Sequence, residues 1–260
     1  MILDEILRHK KKEVAALKKR RSLESVRRAA LALPKKRFAL SAALKAHRGT
    51  AVIAEIKRRS PSRGLLKKDF RPLELARAFQ AGGAVALSVL TDRRYFGGSP
   101  AYLARVKRAV RIPVLRKDFL IDEYQIYESR LLGADAVLLI AAALETAPLE
   151  RLYGLARALG LDALVEVHTG PEARRAAALG ATLVGINNRD LKSFRVDKRV
   201  TGRLKKRLPA GTLVVAESGI ESRKDLLYLD KIGVRAALVG EGLMRRKDPR
   251  AAVRELLGKG

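Results

Sequence analysis

The stretch RKDFLIDEYQIYESRLLGADAVLLI, residues 116 to 140, joins two apolar runs through one segment of helix length. The runs PVLRKDF and ADAVLLI are rich in branched apolar residues and predict two β-strands. Between them, Asp122 is a suitable N-cap for a helix with apolar residues at helical spacing, and Gly133 is suited to end it. The stretch therefore predicts a strand–helix–strand unit with Lys117 at the carboxyl end of its first strand, where parallel α/β folds place their chemistry.

The same pattern recurs along the chain and predicts further strands. They lie at about 51–57, 84–92, 113–119, 134–140, 162–168, 182–188, 212–218 and 236–242, with starts 20 to 33 residues apart. The segments that follow these strands carry residues typical of helix starts, among them Pro72, Ser99, Thr169 and Asp248. Eight such units in roughly 210 residues predict an α/β fold of the (β/α)8 or TIM-barrel type. An open, doubly wound sheet is the alternative, because periodicity does not show whether a sheet closes.

Composition sets the broad class of the protein. The chain has 260 residues, 48% of them hydrophobic, which suits a single domain over residues 1–260. It contains no cysteine, which excludes disulfides and thiolate catalysis and suits a reducing compartment. The longest apolar run, Ala136 to Leu144, has nine residues and is too short to span a bilayer. We therefore expect a soluble, cytoplasmic protein.

Charge is the unusual feature of the composition. The chain has 55 Lys and Arg against 27 Asp and Glu, a formal net charge of +28. Such an excess would fit a nucleic-acid-binding protein, but aromatic residues make up only 5% and no zinc-finger or RNP-like motif is present. We favour a solvated basic surface that attracts a small anionic partner, with no specific nucleic acid and no membrane.

Residues 1–50 precede the first predicted strand and form an N-terminal helical extension to a barrel at 51–257. A helix from about 3 to 20 places Ile6, Val14 and Leu17 on one apolar stripe, with the lysines at 10–12 on the other face. Binding to a membrane surface is one interpretation of such a basic amphipathic helix. We favour a helix that covers one end of the barrel, because no Gly/Ser-rich linker separates it from the rest.

Charged and amide side chains lie in or just after several predicted strands. Glu55 and Lys57 share one face of the first strand, because side chains alternate along a strand. Lys117 lies near the end of the third strand, Glu166 lies in the fifth and Asn187 ends the sixth. Ionised groups are costly inside apolar strands unless they are paired, so their convergence at one rim predicts a polar site of mixed charge.

Simpler interpretations exist for individual members. Glu55 and Lys57 would also make a structural ion pair, Asp118 is expected to hold a neighbouring lysine or a loop amide, and His168 to be a hydrogen-bonded histidine at a strand end. A lysine near other cations in a dry site has its charged form disfavoured, which predicts a lowered pKa for Lys117. Ordinary solvent-exposed charges would not explain why Lys57, Lys117 and Glu166 occupy the same end of three strands.

Glycines after the last two strands indicate a phosphate site. The loops are AESGI at 216–220 and VGEGLM at 239–244, and in (β/α)8 barrels these loops often bind phosphate through backbone amides. Gly219, Gly240 and Gly242 would allow the main chain to approach an anion closely. The long basic loop at 58–72 is either an exposed connection or a lid over the phosphate, and we favour the lid.

Seven collinear motifs resemble one enzyme family. AEIKRRSPSRG, LTDRRYFGGS, VLRKDFLID, LVEVH, GINNRDL, VAESGI and VGEGLM follow the order and spacing of the indole-3-glycerol phosphate synthase family, over residues from about 1 to 257. The resemblance implies a monofunctional carboxy-lyase of tryptophan biosynthesis that needs neither a metal nor an organic cofactor. A phosphate-binding barrel isomerase of the same pathway is the enzyme alternative, but its base is a cysteine by family resemblance and this chain has none.

The resemblance also implies roles for single residues. Lys117 would be the general acid, Glu166 the general base and Lys57 the partner of the substrate carboxylate, with Glu55 and Asn187 orienting these groups. The phosphate would be held by Ser60, Ser218, Gly219, Gly240 and Glu241. Phe96, Phe119, Leu138 and Ile140 would surround the aromatic ring, and Arg189, Leu191 and Glu217 the sugar, with Ser218 also in contact with the substrate.

Three residues, at two places in the chain, depart from the pattern of the family. Glu241 replaces the small hydroxyl residue of some members, so only its backbone amide would serve an anion. Arg93 and Arg94 replace an often acidic stretch, so the family's contacts in that loop are not carried over to this chain. The resemblance leaves the oligomeric state as a monomer or a weak homodimer.

Overall fold

Parallel strands close into a barrel in the computed structural model, which describes residues 2–34, 36–191 and 193–259. In chain order the barrel strands are β1 (Ala51–Ile56), β2 (Ala86–Leu90), β3 (Val114–Lys117), β4 (Ala136–Ile140), β5 (Asp162–Val167), β6 (Leu183–Asn187), β7 (Leu213–Glu217) and β8 (Ala236–Val239). β1 pairs with both β2 and β8, so the described part of the barrel has no free edge. The TIM-barrel prediction is confirmed, and closure excludes the open sheet.

Helices surround the barrel and also precede it. They are α1 (Ile2–Arg20), α2 (Leu23–Leu31), α3 (Ala39–Ala46), α4 (Pro72–Gly82), α5 (Pro100–Ala109), α6 (Glu123–Leu131), α7 (Thr146–Ala158), α8 (Gly170–Ala178), α9 (Arg199–Lys205), α10 (Arg223–Lys231), α11 (Glu241–Met244) and α12 (Pro249–Leu257). Asp122 caps α6 as predicted and forms a capping box with Gln125. A 3₁₀ turn (Ala141–Ala143) follows β4, and a short hairpin (Arg59–Ser60 with Gly64–Leu65) lies in the loop after β1. None of the helices described is at once long and apolar enough to cross a membrane.

The predicted strands were too long, mostly at their carboxyl ends. The third was expected to reach residue 119, and β3 ends at Lys117; the second was expected to reach residue 92, and β2 ends at Leu90. Carboxylates cause both endings, because Asp92 accepts hydrogen bonds from the amides of residues 95 and 96, and Asp118 accepts one from residue 119. Such side-chain bonds offer the backbone an alternative to the sheet and begin the loops that carry the site.

The helical extension closes the amino end of the barrel through α3. Leu40 and Leu44 are fully buried and belong to the apolar cluster inside the barrel, together with the first residues of several strands. Asp162 at the start of β5 accepts a hydrogen bond from the amide of Ser41, and Arg235 just before β8 donates to carbonyls at the end of α3. These contacts place α3 across the amino end, where its two leucines fill the opening.

The opposite end of the barrel is partly covered by α1. Ile2, Leu3 and Ile6 face a cavity that the carboxyl ends of the strands surround, and Glu5 accepts a hydrogen bond from the Tyr95 hydroxyl. The expectation that this helix covers one end of the barrel is therefore confirmed. It lies at the end where the sequence placed the chemistry.

One prediction about α1 is wrong. Lys10 was placed on the solvent face, but it is 1% exposed and its Nζ lies 2.9 Å from Asp118, 3.1 Å from Asp92 and 3.0 Å from Glu13. Burial disfavours its charged form, yet the three carboxylates outweigh burial and raise the pKa of Lys10. Lys10 is therefore a buried cation that ties α1 to the strand ends.

Candidate active site

A cavity of about 390 Å³ opens among the carboxyl ends of the strands. Its size lies within the range of about 300–1,000 Å³ usual for small-molecule sites. The cavity is lined by every residue that the sequence placed in a site: Glu55, Lys57, Ser60, Phe96, Lys117, Phe119, Leu138, Ile140, Glu166, Asn187, Arg189, Leu191, Glu217, Ser218, Gly219, Gly240 and Glu241. The fold thus brings together residues that span nearly the whole barrel sequence.

Lys117 lies between two carboxylates at the centre of the cavity. Its Nζ is 2.6 Å from Glu166 Oε2 and 2.6 Å from Glu217 Oε2, and all three side chains are largely buried. Burial disfavours the ammonium form, but the charges of Glu166, Glu217 and Glu55 outweigh burial and raise the pKa of Lys117. The predicted lowering of this pKa is wrong, because the nearest charges are carboxylates rather than cations.

The two carboxylates beside Lys117 differ in their protonation. Burial favours the neutral form of Glu166, but Lys117 and His168 hold the pKa of Glu166 well below its ordinary value. Burial and the negative charge of Glu166 together raise the pKa of Glu217 to about 8, against the opposing charge of Lys117. Two buried carboxylates that share one cation therefore separate into an ionised group and a largely protonated one.

Polar groups at the carboxyl ends of β5, β6 and β7 complete the surroundings of Glu166. The amide of Asn187 donates to Glu166 Oε1 over 3.3 Å, and its oxygen accepts hydrogen bonds from Ser218 Oγ and from the backbone of Arg189. His168 Nε2 lies 3.3 Å from the same Glu166 oxygen. Asn187 and His168 therefore fix Oε1 of Glu166, which leaves Oε2 directed at Lys117.

Lys57 and Glu55 form an ion pair at the end of β1. A Cβ atom added at Gly240 would come within 2.5 Å of Glu55 Oε1 and 3.2 Å of Lys57 Nζ. Glycine at position 240 therefore leaves room for this pair in its present geometry, besides any part that it has in approaching an anion. Gly185 in β6 likewise leaves room for the carboxylate of Glu217, with which a Cβ at this position would collide. Neither role of these glycines is visible in the sequence.

The rim predicted for phosphate has an unusual backbone. Ser218 and Gly219 both have positive φ angles, 67° and 78°, which turn the chain sharply after β7. Across the rim, the Glu241 carboxylate lies among three arginines: Arg63 at 3.1 Å, Arg245 at 3.4 Å and Arg189 at 3.8 Å. The side chain of Glu241 thus has partners of its own, consistent with the expectation that only its amide would serve an anion.

Apolar residues form the wall of the cavity. The rings of Phe96 and Phe119 lie 6.0 Å apart between centroids and tilt by 39°, an arrangement common for packed aromatic pairs. Sequence reasoning missed the apolar residues that α1 and the loop after β6 contribute: Ile2, Leu3, Ile6, Phe194 and Val196. The stripe on α1 was evident, but nothing in it indicated what it faces.

Asp118 supports the site from behind, as expected for a residue that holds a lysine or an amide. The lysine is Lys10 of α1, and the amide is that of Phe119. Arg116 also contacts Asp118, at 3.4 Å, and is fully enclosed. Within the described residues, no group of three or more His, Asp or Glu side chains is placed to hold a metal ion.

A closed (β/α)8 barrel with an acid–base cluster in its carboxyl-end cavity defines a TIM-barrel enzyme acting on a small molecule. The family model described as indole-3-glycerol phosphate synthase matches residues 3–256. The chain belongs to the indole-3-glycerol phosphate synthase family, and it is a carboxy-lyase of tryptophan biosynthesis with a small phosphate-bearing substrate.

Two relatives illustrate how much of the chain is shared. An indole-3-glycerol phosphate synthase of Aromatoleum aromaticum is 48% identical over 259 residues, 99% of this chain and 99% of that protein. Indole-3-glycerol phosphate synthase 2 of Streptomyces coelicolor is 52% identical over 230 residues, 88% of each chain.

Solved structures resemble the barrel but are distant in sequence. A 3-hexulose-6-phosphate synthase matches with a TM-score of 0.65 at 19% identity, covering 81% of this chain and 99% of that one. Thiamine phosphate pyrophosphorylase from Pyrococcus furiosus matches with a TM-score of 0.60 at 20% identity, covering 80% of this chain and 94% of that one. At this identity the likeness concerns the fold alone.

Proposed function

We propose that Lys117 and Glu166 are the acid–base pair that converts 1-(2-carboxyphenylamino)-1-deoxyribulose 5-phosphate to indole-3-glycerol phosphate. In this reaction a ring carbon attacks the ketose carbonyl, the ring carboxylate leaves as carbon dioxide, and one water is lost. The observation that carries the assignment is the position of Lys117 Nζ, 2.6 Å from Glu166 in the centre of the cavity. A proton donor and a base so placed can serve the successive steps.

Lys117 starts the reaction as an acid. Its raised pKa keeps it protonated at neutral pH, so a proton is available when negative charge develops on the ketose oxygen. The alkoxide that forms is more basic than an amine, so the transfer is downhill in spite of the raised pKa. Entry of the substrate also separates Lys117 from part of its carboxylate surroundings, which reduces the cost of giving up the proton.

Glu166 acts in the later steps as a base. Its lowered pKa keeps it ionised, and Asn187 and His168 fix one of its oxygens. After carbon dioxide has left, the base removes a proton while the former carbonyl oxygen departs as water. Glu217, protonated at neutral pH, lies close enough to Lys117 to exchange a proton with it.

The remaining cavity residues bind and fold the substrate. Lys57, positioned by Glu55, faces the ring carboxylate and acts as an acid in the dehydration. The aromatic ring lies among Phe96, Phe119, Leu138 and Ile140, whose apolar surfaces bring the ring carbon to the carbonyl. Arg189, Leu191 and Glu217 contact the sugar. The phosphate is held by Ser60, Ser218, Gly219, Gly240 and the amide of Glu241, and the loop at 58–72 closes over it.

The finer expectations about the molecule fit this assignment. We infer a single domain over residues 1–260 that works as a monomer or weak homodimer in the cytoplasm. The acid and base come from side chains, so the proposed route uses no metal and no organic cofactor. The basic surface serves an anionic small molecule, and no specific nucleic acid is expected.

The Lys117→Ala variant tests the assignment of the acid. We expect it to fold, because Glu217 is already protonated at neutral pH and His168 and Asn187 remain beside Glu166, and to lose about 10²- to 10⁴-fold in kcat. The rate is measured as indole fluorescence from the substrate, with unfolding followed by circular dichroism. Lys206→Ala, an exposed lysine far from the cavity, is the control and should match the unmutated chain. Turnover like that of the unmutated chain in folded Lys117→Ala would reject the role of Lys117.

A further inference from the structure

His168 has no assigned role in the chemistry, yet it lies between two carboxylates. Its Nε2 is 3.3 Å from Glu166 Oε1 and its Nδ1 is 3.4 Å from Glu172 Oε2, and its side chain is 7% exposed. The ring therefore bridges the proposed base in β5 to the first turn of α8. A histidine that served only to end the strand would need no contact with Glu166.

The first turn of α8 holds the ring of His168 firmly. Glu172 Oε2 accepts a hydrogen bond from the His168 amide over 2.8 Å, and its other oxygen accepts one from Thr169 Oγ1 over 2.8 Å. Thr169 is also the N-cap of α8 and accepts from the Glu172 amide. Backbone and side-chain bonds thus fix Glu172, which in turn fixes the imidazole.

The contact with Glu166 is close but imperfectly aligned. Nε2 of His168 is buried, and its contact with Glu166 Oε1 lies off the ideal hydrogen-bond direction. Such contacts are often loose in an unliganded active site and tighten when substrate binds. Glu166 Oε1 also receives the Asn187 amide, so the histidine and Asn187 together occupy this oxygen.

We propose that His168 is a positioning residue: held as an imidazolium by Glu172, it anchors Glu166 Oε1 so that Oε2 stays free for the proton transfers. The inference rests on the proposed role of Glu166 as the base. It extends the site by one step, from the cavity to the capped start of α8. Glu172, His168 and Glu166 thus form two consecutive charged contacts, and the histidine keeps its proton.

The charges around the ring agree with this assignment. Burial disfavours the imidazolium, but the close contacts with Glu166 and Glu172 and the negative charges of these carboxylates outweigh burial and raise the pKa of His168 to about 10. Asn187 and Thr169, the other polar neighbours named, are uncharged. At neutral pH two cations, His168 and Lys117, therefore balance the carboxylates Glu172 and Glu166, and the carboxyl of Glu217 keeps its proton.

Three substitutions test the positioning role. His168→Leu removes both the charge and the donor, and we expect kcat to fall by about 10- to 100-fold, as when an outer partner of a reactive group is lost. When kcat is measured as a function of pH, it should fall on the acidic side as Glu166 becomes protonated; this fall is the acidic limb of the profile. In His168→Leu the acidic limb should move towards neutral pH, because the loss of a neighbouring cation raises the pKa of Glu166. His168→Gln keeps a donor without the charge and should recover much of kcat, and Glu172→Gln should shift the limb in the same direction by less.

Thr169→Ala is the matched control, because it removes the cap of α8 and one hydrogen bond to Glu172 but keeps His168 and both carboxylates that face its ring. It should lower the melting temperature and leave the acidic limb in place. If His168→Leu behaves like Thr169→Ala, with a lower melting temperature and an unchanged limb, the positioning role is rejected. If His168→Leu does not fold, His168→Gln is compared with Thr169→Ala instead. An unshifted acidic limb in His168→Gln would then reject the positioning role.

Glu166→Gln separates this inference from the assignment on which it rests. Loss of activity in Glu166→Gln, with an unshifted limb in His168→Leu, would reject the role of His168 alone. Full activity in Glu166→Gln would reject Glu166 as the base, and the role of His168 with it. Loss of activity together with the shifted limb supports both.

Discussion

The different charges of Glu166 and Glu217 follow from the donors that each one has. Glu166 is approached by Lys117, Asn187 and His168, whereas Glu217 has Lys117 and a buried Oε1 without a hydrogen-bond partner. The carboxylate with more donors keeps its charge, and the other keeps its proton. In many enzymes, environments that separate the pKa values of two titratable groups in this way determine which group acts as an acid and which as a base.

The Glu217→Gln variant tests this protonation through its stability. The pKa of Glu217 is raised from 4.5 to about 8 in the fold, so the folded state keeps a proton that the unfolded chain loses between these values. The stability of the unmutated protein should therefore fall through this pH window, and Gln, which does not titrate, removes that loss. We expect the melting temperature of the variant, relative to the unmutated chain, to rise from about pH 5 to about pH 8. A difference independent of pH would show that Glu217 is ionised throughout.

At the residue scale, the sequence predicted which residues form the site better than it predicted their protonation. The periodicity of the strands and the family motifs placed Lys117 and Glu166 at one rim. The pKa of Lys117 was mispredicted because Glu217 lies 100 residues further along the chain, and only the barrel brings its carboxylate to the lysine. His168 was expected to be a hydrogen-bonded residue at a strand end, and its contact with Glu166 depends on the way α8 begins.

Among the elements, α1 depends on a buried ion cluster. Lys10 meets Asp92 after β2 and Asp118 after β3, and Arg116 binds Asp118 from the other side. Arg116 is itself held by Glu128 in α6 at 2.8 Å. The cluster joins α1, two strand ends and α6, directly behind the cavity.

Lys10→Ala should destabilise the protein strongly. It leaves Asp92 and Asp118 buried with fewer cations, and removal of one partner of a buried pair costs about 3–5 kcal/mol. Urea unfolding measures the loss. Lys11→Ala, the next residue on the exposed face of the same helix, should change the free energy of unfolding by less than about 0.5 kcal/mol. Equal effects of the two substitutions would contradict a buried role for Lys10.

The sequence did contain an indication of this role. Ile6, Lys10 and Val14 are four residues apart, so helical geometry puts all three on one face, and all three are buried. Because residues 10–12 are all lysines, Lys10 was assigned to the solvent face by its charge rather than to the buried face by its spacing. Whether a lysine at such a position is buried depends on carboxylates brought by other elements, and no local pattern shows them.

For the whole molecule, the net charge of +28 affects the rate at which substrate reaches the protein more than it affects the fold. A basic surface raises the local concentration of an anionic substrate and speeds its arrival at the cavity. Closure of the barrel is also a property of the whole, and it is what the strand periodicity left undecided. The pairing of β1 with β8 decides it, through residues that begin 185 positions apart in Ala51 and Ala236.

The surface charge predicts a dependence of substrate capture on salt. As potassium chloride rises from about 0.01 M to about 1 M, the screening length falls from about 30 Å to about 3 Å, so we expect KM to rise steadily. The value of kcat should change much less, because the buried charges of the cavity are screened weakly. Steady-state fluorescence assays measure both constants, with a neutral solute as the control for viscosity. A KM that is constant over this range would show that the surface charge has no part in binding.

The cluster around Lys10 also has a consequence for synthesis on the ribosome. Lys10 leaves the ribosome 108 residues ahead of Asp118, a delay of roughly 5 to 20 s at ordinary rates of translation. During that interval the apolar face of α1 has neither its barrel contacts nor its carboxylates. This helix is made before the barrel strands but is fixed in place only after the third strand has been made, so the nascent chain has to keep it out of wrong contacts until two strand ends have emerged.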